Sequence, residues 1–167
     1  MNATYSTVYE YTYTVNYLSG KLLNSLKHII LKSGLSPAKL AGQWSIYENG
    51  FKTWLASGHL ELVIIEVYHP HQPGVSVGRW DLKIEYGTAE DGFWFDPDDI
   101  YYEIRKQGAW PADCEYSVII RTKPGKPPVD GWTTTNLRSI DGMVYQSIGT
   151  MIGSNGIRAA AGYWRKA

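Results

Sequence analysis

The residues that could ligate a metal or act as a nucleophile are few in this sequence. His69 and His71 resemble a metal-binding pair, but Pro70 between them restricts their geometry, and no cysteine or further histidine lies near them in the sequence. Cys114 is the only cysteine, so no disulfide can form within the chain. It precedes a predicted strand and no cysteine-hydrolase motif surrounds it, which favours an unreactive thiol. We therefore predict no catalytic residue, no metal site and no cofactor.

Other candidate motifs also have structural explanations. Asp96, Asp98 and Asp99 could bind a cation, but the sequence D-P-D-D is typical of a helix start, where carboxylates favour the positive end of the dipole. K-P-G-K-P at 123–127 looks like a phosphate loop, yet the prolines that follow forbid the helix such a loop needs. G-Y-W-R-K at 162–166 could stack on a base, although tryptophan more often anchors the protein's own surface. No nucleophile elbow, Walker A or dinucleotide motif is present.

Composition predicts one ordinary globular domain. The chain has 167 residues, 44% of them hydrophobic, and its formal net charge is zero, which argues against a phosphate-driven nucleic-acid binder. Its 13 tyrosines and 7 tryptophans are typical of binding surfaces as well as cores. No signal peptide and no membrane-spanning apolar run is evident, so we expect a cytoplasmic protein with no membrane partner.

Periodicity predicts the elements that would position these residues. Thr/Tyr alternation favours a strand at 4–13, and apolar residues three and four apart predict a helix that follows it and ends at Gly34. A short helical turn opens at Ser36-Pro37, and a capping box at Ser45 and Glu48 predicts a helix that stops at Gly58. The remaining predicted elements are a hairpin of strands 61–69 and 77–86, a helix at 97–107 and a strand at 115–122.

The second hairpin strand shows the clearest alternation in the chain. Apolar residues from Val77 to Tyr86 alternate with Arg79, Asp81, Lys83 and Glu85. This pattern predicts one buried face and one solvated face.

The segment 123–167 is the least regular part of the sequence. It contains seven glycines among 45 residues, and it carries too much apolar surface to remain solvated. Its basic residues outnumber its acidic ones by six to two, whereas the rest of the chain is acidic. We expect an irregular arm that packs on the body and closes over a partner. If strand 115–122 has a free edge, a peptide could add to it as a further strand.

Several separate motifs together resemble one family. They are the Tyr/Thr-rich N-terminus leading into the long helix, F-K-T-W-L-A-S-G-H-L-E at 51–61, G-R-W-D-L-K-I-E-Y-G at 78–87, T-K-P-G-K-P-P-V-D-G-W, R-S-I-D-G-M-V-Y-Q-S-I-G and A-G-Y-W-R-K. With these the chain resembles the bacterial HORMA-domain proteins of anti-phage signalling operons, the CBASS systems. The resemblance implies an α+β fold of three helices packed on a mainly antiparallel sheet, in a single domain of residues 1–167.

The resemblance also implies a site. The core would be residues 1–122, and residues 123–167 would form a mobile safety belt around a short peptide, the closure motif. The peptide would lie along strand 115–122, with the belt near Met143–Ile152 crossing over it. The implied peptide-binding residues are Tyr116, Val118, Ile120, Met143, Tyr145, Ile148 and Ile152.

The partners implied by the resemblance are those of a non-catalytic adaptor. The peptide-bound form would activate a CD-NTase cyclic-oligonucleotide synthase, and a Trip-type AAA+ ATPase would reset it by pulling on Thr4, Tyr5 and Tyr9. An alternative is a companion role, in which the chain supplies a closure peptide to a second HORMA protein or receives one from it. A small Cys/His enzyme and a nucleic-acid-binding module are the alternatives from other classes.

Overall fold

The computed structural model describes residues 3–88 and 92–166, with side chains from Thr12 onward. The helices are α1 (Ala3–Lys32), α2 (Ala38–Gly42), α3 (Trp44–Ala56) and α4 (Asp98–Gln107). The strands are β1 (Leu60–Tyr68), β2 (Gly78–Tyr86), β3 (Trp94–Phe95), β4 (Glu115–Thr122), β5 (Met143–Ser154) and β6 (Ile157–Lys166).

The described strands form one antiparallel sheet in the order β3-β5-β6-β2-β1-β4. The predicted hairpin is confirmed, because β1 pairs with β2 from Leu62–Lys83 to Val67–Gly78. The strand predicted at 115–122 is also confirmed, and it pairs only with β1 among the described strands. This position leaves β4 at one edge of the sheet.

The helices pack on one face of the sheet, and the core lies between them. The α1 residues Leu18, Leu22 and Leu26 have no solvent exposure, since their spacing places them on one side of the helix. Trp54 of α3 and Trp80 of β2 are buried against this layer. Gly34 ends α1 with φ +84°, as predicted for a left-handed helix terminus.

The N-terminal strand predicted at 4–13 is wrong. α1 begins at Ala3 and continues to Lys32 without interruption. No proline or glycine lies between residues 3 and 19, so the helix extends from its apolar C-terminal part at little nucleation cost. This continuity outweighs the β-propensity of threonine and tyrosine.

The predicted helix caps are partly correct. Ser45 does not cap α3, because the helix already begins at Trp44 and Gln43 occupies the cap position without a side-chain hydrogen bond. Asp96 and Ser36 lie one residue before the cap positions, which Pro97 and Pro37 occupy, so α4 and α2 begin one residue later than predicted. Both side chains nevertheless accept a hydrogen bond from the first helical amide, that of Asp98 (3.1 Å) and that of Ala38.

The face of β2 predicted to be solvated is wrong at two of its positions. Arg79 and Asp81 are buried and form a two-bond ion pair, with Nε–Oδ1 at 2.7 Å and Nη2–Oδ2 at 3.0 Å. Trp164 of β6 donates its indole N–H to Asp81 Oδ2 (3.0 Å) and contacts Tyr145. Aromatic side chains from β5 and β6 therefore cover these charges, and Lys83 is the one residue of β2 that is exposed.

The prediction of an irregular arm is correct for 123–142 and wrong for 143–166. β5 and β6 are strands of 12 and 10 residues, and β6 pairs along β2 from Arg79–Trp164 to Tyr86–Ile157. Glycine density misled the prediction, because Gly153 and Gly162 lie within strands where Trp94 and Tyr145 occupy the space of a Cβ. Residues 123–142, called the belt below, are thus the part without helix or strand between β4 and β5.

None of the helices in the described residues combines the length and the apolarity that a membrane span requires.

Candidate peptide-binding site

The outer edge of β4 offers backbone groups to a further strand. The Val67 carbonyl accepts from the Val77 amide on the β2 side, so Val67 and its β4 partner Tyr116 are not hydrogen-bonded to each other. The amide and carbonyl of Tyr116 consequently point away from β1. Because this direction alternates along a strand, the amides and carbonyls of Val118 and Ile120 also point outward.

One end of this edge is closed by Lys39 of α2. Lys39 Nζ donates to the Tyr116 carbonyl (2.9 Å), which occupies an acceptor that an added strand would use. The Tyr116 hydroxyl donates to the Ser36 carbonyl (2.8 Å) and accepts from the Leu40 amide. Burial raises the pKa of this phenol, so it stays protonated and can keep donating. The free part of the edge therefore starts at Val118.

On the helix side of this edge, the belt is fixed to α3. The Trp132 indole N–H donates to the Ile46 carbonyl (3.2 Å), and its ring packs against Trp54 with centroids 5.1 Å apart. The indole N–H of Trp54 in turn donates to the Pro127 carbonyl (2.7 Å). Trp132 fits closely because Gly50 has no side chain: a Cβ there would lie 2.6 Å from Trp132 Nε1.

On the opposite face of the sheet, the belt is fixed through Arg138. Its guanidinium pairs with Glu66 (Nη1–Oε1 2.9 Å), a β1 side chain with no solvent exposure, while its amide donates to Glu66 Oε2 (2.7 Å). The guanidinium also donates to the Pro73 carbonyl and lies 3.6 Å from the ring centroid of Tyr68. A parallel bridge between Val75 and Ser139 follows.

The belt therefore passes around the free edge of β4, from the helix face to the opposite face. Its exposed residues 133–137 span the edge between the two fixed points. Two cavities of about 490 and 500 Å³ lie between the belt and β4, and both are lined by Val118, Ile119, Trp132, Thr133 and Thr135. This arrangement forms a groove along an unpaired strand edge, closed over by a loop.

The structure brings together only part of the predicted peptide-binding set. Tyr116, Val118 and Ile120 lie on β4, but their side chains pack against the helix-facing core. Their contribution to the edge is therefore their backbone. Met143, Tyr145, Ile148 and Ile152 lie on β5, which three strands separate from β4, so the prediction that they cross over β4 is wrong. The residues that do cross the edge, 133–137, are polar except for Leu137 and gave no periodic signal.

The predicted handle residues Thr4, Tyr5 and Tyr9 belong to α1. Their side chains lie outside the described part of the structure.

The fold also brings together residues that sequence distance had separated. Cys114 Sγ lies 3.5 Å from His69 Nδ1, and Asp113 Oδ2 lies 3.7 Å from the same nitrogen. Burial raises the pKa of the Cys114 thiol, and the neighbouring Asp113 raises it further. A cysteine–histidine–aspartate relay needs the carboxylate and the sulfur on opposite ring nitrogens, so this geometry does not make one.

Comparisons with known proteins relate this fold to several solved structures. A chain of the mitotic checkpoint complex is similar over 90% of this chain and 97% of its own length, with TM-score 0.72 and 10% identity. C. elegans HTP-2 bound to a HIM-3 closure motif gives TM-score 0.57 at 13% identity, and the match covers 79% of this chain and 72% of the HTP-2 chain. A chain of the E. coli MS115-1 CdnC:HORMA-deltaN complex gives TM-score 0.58 at 9% identity, and the match covers 92% of this chain and 87% of that chain. No curated protein sequence matches significantly.

At such identities the solved structures establish the fold alone. Family membership rests on a sequence model, that of bacterial HORMA domain 2, which matches residues 3–167. The match includes the helices, the six-stranded sheet and the belt. The resemblance to bacterial HORMA domains is thereby confirmed, and with it the predicted α+β class. The chain belongs to the bacterial HORMA domain 2 family.

Proposed function

We propose that this chain is a non-catalytic signalling adaptor whose belt holds an extended peptide against the free edge of β4. The observation that carries the proposal is the path of the belt. It is fixed at Trp132 on one face and at Arg138 on the other, with cavities between it and an unpaired strand edge. A peptide in this groove would complete the backbone hydrogen bonds of β4.

The contacts of β4 also favour a register and a chemistry for the peptide. Its hydrogen bonds would be made with Val118 and Ile120, since Lys39 already binds the Tyr116 carbonyl. Lys39 lines the cavity at one end of this stretch and Lys126 lines the cavity at the other. Among the side chains that the structure describes, no carboxylate lines either cavity. We therefore expect an extended central segment with acidic residues toward its ends.

Within this proposal, the peptide-bound form binds and activates a CD-NTase synthase in bacterial anti-phage defence, in the cytoplasm. The support is the family together with the fold shared with a CdnC:HORMA-deltaN complex. A Trip-type AAA+ ATPase would reset the adaptor by pulling on the start of α1, where Thr4, Tyr5 and Tyr9 lie. A long helix that ends in the core would transmit such a pull to the core.

A second candidate is the companion role, in which the chain exchanges a closure peptide with another HORMA protein. A structural neighbour, C. elegans HTP-2, is bound to a closure motif of a different protein, HTP-3, which makes exchange of a closure motif with another protein a specific alternative. In this case the same groove on β4 would be used. Only the source of the peptide would differ.

Peptide addition to β4 can be tested with a proline substitution at the edge. A peptide is selected from a random display library on the full chain, labelled, and titrated by fluorescence anisotropy. Val118→Pro removes an outward amide and keeps the bonds to β1, so affinity should fall roughly tenfold or more. Val118→Ala keeps the amide and serves as the control, with affinity within about threefold of wild type.

Equal affinities for both variants, with both folded by circular dichroism, would exclude peptide addition at this edge. The adaptor role is tested separately by adding the selected peptide to a mixture of the chain and a CD-NTase synthase. Synthesis of cyclic oligonucleotide only with chain and peptide together would support activation. Synthesis that is independent of the chain would refute it. Capture of a second HORMA protein would favour the companion role.

A further inference from the structure

A side-chain cluster lies outside the peptide groove, where β1 ends and β4 begins. His69 immediately follows β1, and Asp113 and Cys114 immediately precede β4. Their ligand atoms all lie within 4.8 Å of one another. The thiol of Cys114 is buried, whereas Asp113 is exposed. Sulfur, imidazole nitrogen and carboxylate oxygen are the ligands that zinc prefers in proteins.

The two distances from His69 Nδ1 are close to those that one ion at the centre of the cluster would require. A tetrahedral zinc with bonds of about 2.3 Å to sulfur and about 2.05 Å to nitrogen would hold these two atoms about 3.6 Å apart. Cys114 Sγ and His69 Nδ1 are 3.5 Å apart. The same geometry predicts about 3.3 Å between nitrogen and carboxylate oxygen. His69 Nδ1 and Asp113 Oδ2 are 3.7 Å apart, and the exposed Asp113 side chain has room to move closer.

The choice of nitrogen also favours an ion. The Cys114 sulfur and an Asp113 oxygen both lie near the same ring nitrogen of His69, so the three ligand atoms form one compact group. We propose that His69, Asp113 and Cys114 form a binding site for a divalent transition-metal ion of the zinc class. Three protein ligands leave a fourth position, which opens toward solvent beside Asp113 and can be filled by water. Binding releases the thiol proton of Cys114 to solvent.

A metal here would bear on the peptide groove without being part of it. Tyr68 and Glu115 are strand partners next to the cluster, and the Tyr68 hydroxyl donates to Glu115 (3.2 Å). The loop that begins at His69 also carries Pro73 and Gly74, whose carbonyls accept from belt residues. An ion held between His69 and Cys114 would therefore fix both the start of β4 and the loop that anchors the belt.

The test is a titration of the full chain with Co²⁺ and then Zn²⁺, without oxygen and without a chelating reductant. A thiolate-to-cobalt charge-transfer band with tetrahedral visible bands is expected at one equivalent. Zn²⁺ should then abolish these bands by displacing cobalt. Cys114→Ser should remove the charge-transfer band, and His69→Gln should weaken cobalt binding by roughly tenfold or more. The matched control is His28→Gln, because His28 is remote in sequence from the cluster and packs against Tyr101. This variant should bind cobalt as wild type does.

A second readout separates metal binding from folding. Zn²⁺ should raise the melting temperature of wild type and His28→Gln, but not that of Cys114→Ser or His69→Gln. Absence of the charge-transfer band in folded wild-type protein would overturn the proposal. So would metal binding that the Cys114 and His69 substitutions leave unchanged. None of these readouts depends on a peptide, so they stand or fall independently of the proposed adaptor role.

Discussion

The contact between Arg138 and Glu66 is expected to decide whether the belt stays closed. Glu66 has no solvent exposure, and within the described residues its carboxylate is bonded to the guanidinium and the amide of Arg138. Arg138→Met keeps much of the side-chain length but removes the guanidinium. It also removes the donors to Pro73 and Ser117 and the stacking on Tyr68.

The cost of this substitution follows from the burial of Glu66. Removing one partner of a buried ion pair leaves an uncompensated charge and typically costs about 3–5 kcal/mol. The chain can avoid part of that cost by releasing the belt, which lets water reach Glu66. If about 3 kcal/mol of belt closure is lost, the open form becomes roughly 100-fold more populated. A peptide held beneath the belt should then dissociate faster by a similar factor, while the sheet remains intact.

Hydrogen exchange followed by mass spectrometry measures belt opening directly, and dissociation of a labelled selected peptide measures its consequence. The matched control is Arg121→Met, because Arg121 also joins β4 to β1, through Glu61 (2.9 Å), but at the surface. Its side chain is 61% exposed, so the loss should stay below about 1 kcal/mol. Exchange over the belt should rise in Arg138→Met and stay unchanged in Arg121→Met.

A double-mutant cycle provides the refutation. Glu66→Leu combined with Arg138→Met removes both charges, and replacing a buried pair by apolar residues is often nearly neutral. The double variant should therefore be more stable than Arg138→Met alone, with a coupling energy of at least about 1.5 kcal/mol. Additive effects would show that the buried pair does not hold the belt. Unchanged belt exchange in Arg138→Met would show the same.

Two further substitutions test the other anchors. Gly50→Ala should loosen the belt at Trp132, because the added Cβ would lie 2.6 Å from the indole nitrogen, and hydrogen exchange in the belt should therefore rise. The control is Gly20→Ala, which has open space around it and should stabilise α1 by up to about 1 kcal/mol. Stabilisation by both alanines would contradict the close fit at Trp132. Asp81→Asn leaves Arg79 buried without its charge partner and should lower the free energy of unfolding in urea by about 3–5 kcal/mol. The control is Lys83→Met, at an exposed position of β2, which should change the free energy of unfolding by less than about 0.5 kcal/mol. Equal effects of Asp81→Asn and Lys83→Met would show that the Arg79–Asp81 pair is not buried.

The sequence predicts an element correctly where its residue pattern and the turn residues on either side of it indicate the same element. β1, β2 and β4 are β-branched or alternating runs bounded by turn residues, and the structure has them within one residue of the prediction. The D-P-D-D motif predicts the start of α4 for the same reason. The prediction of a strand at 4–13 is wrong because a helix extends cooperatively along the chain, whereas propensity describes single residues.

The contacts between distant residues depend on which strands pair with each other, and residue spacing does not reveal that pairing. Arg79 and Asp81 look solvated in sequence, and only the pairing of β2 with β6 reveals that Trp164 covers them. The approach of Cys114 to His69 depends in the same way on the pairing of β1 with β4. The edge position of β4 follows from the order of all described strands, so the sequence predicts the strand but not its free side.

The two anchors of the belt have different physical character, and this difference bears on how a peptide would be held. Trp132 packs in an aromatic cluster on α3, where its contacts are divided among several uncharged rings. Arg138 instead binds a fully buried carboxylate, which is costly to leave unpaired, so partial release there is unfavourable. We therefore expect the side at Arg138 to act as a latch with two states, whereas no charge is left unpaired when the side at Trp132 moves. A peptide enclosed between them would leave when the latch opens, so its lifetime would depend on Glu66 and Arg138 more than on its own contacts with β4.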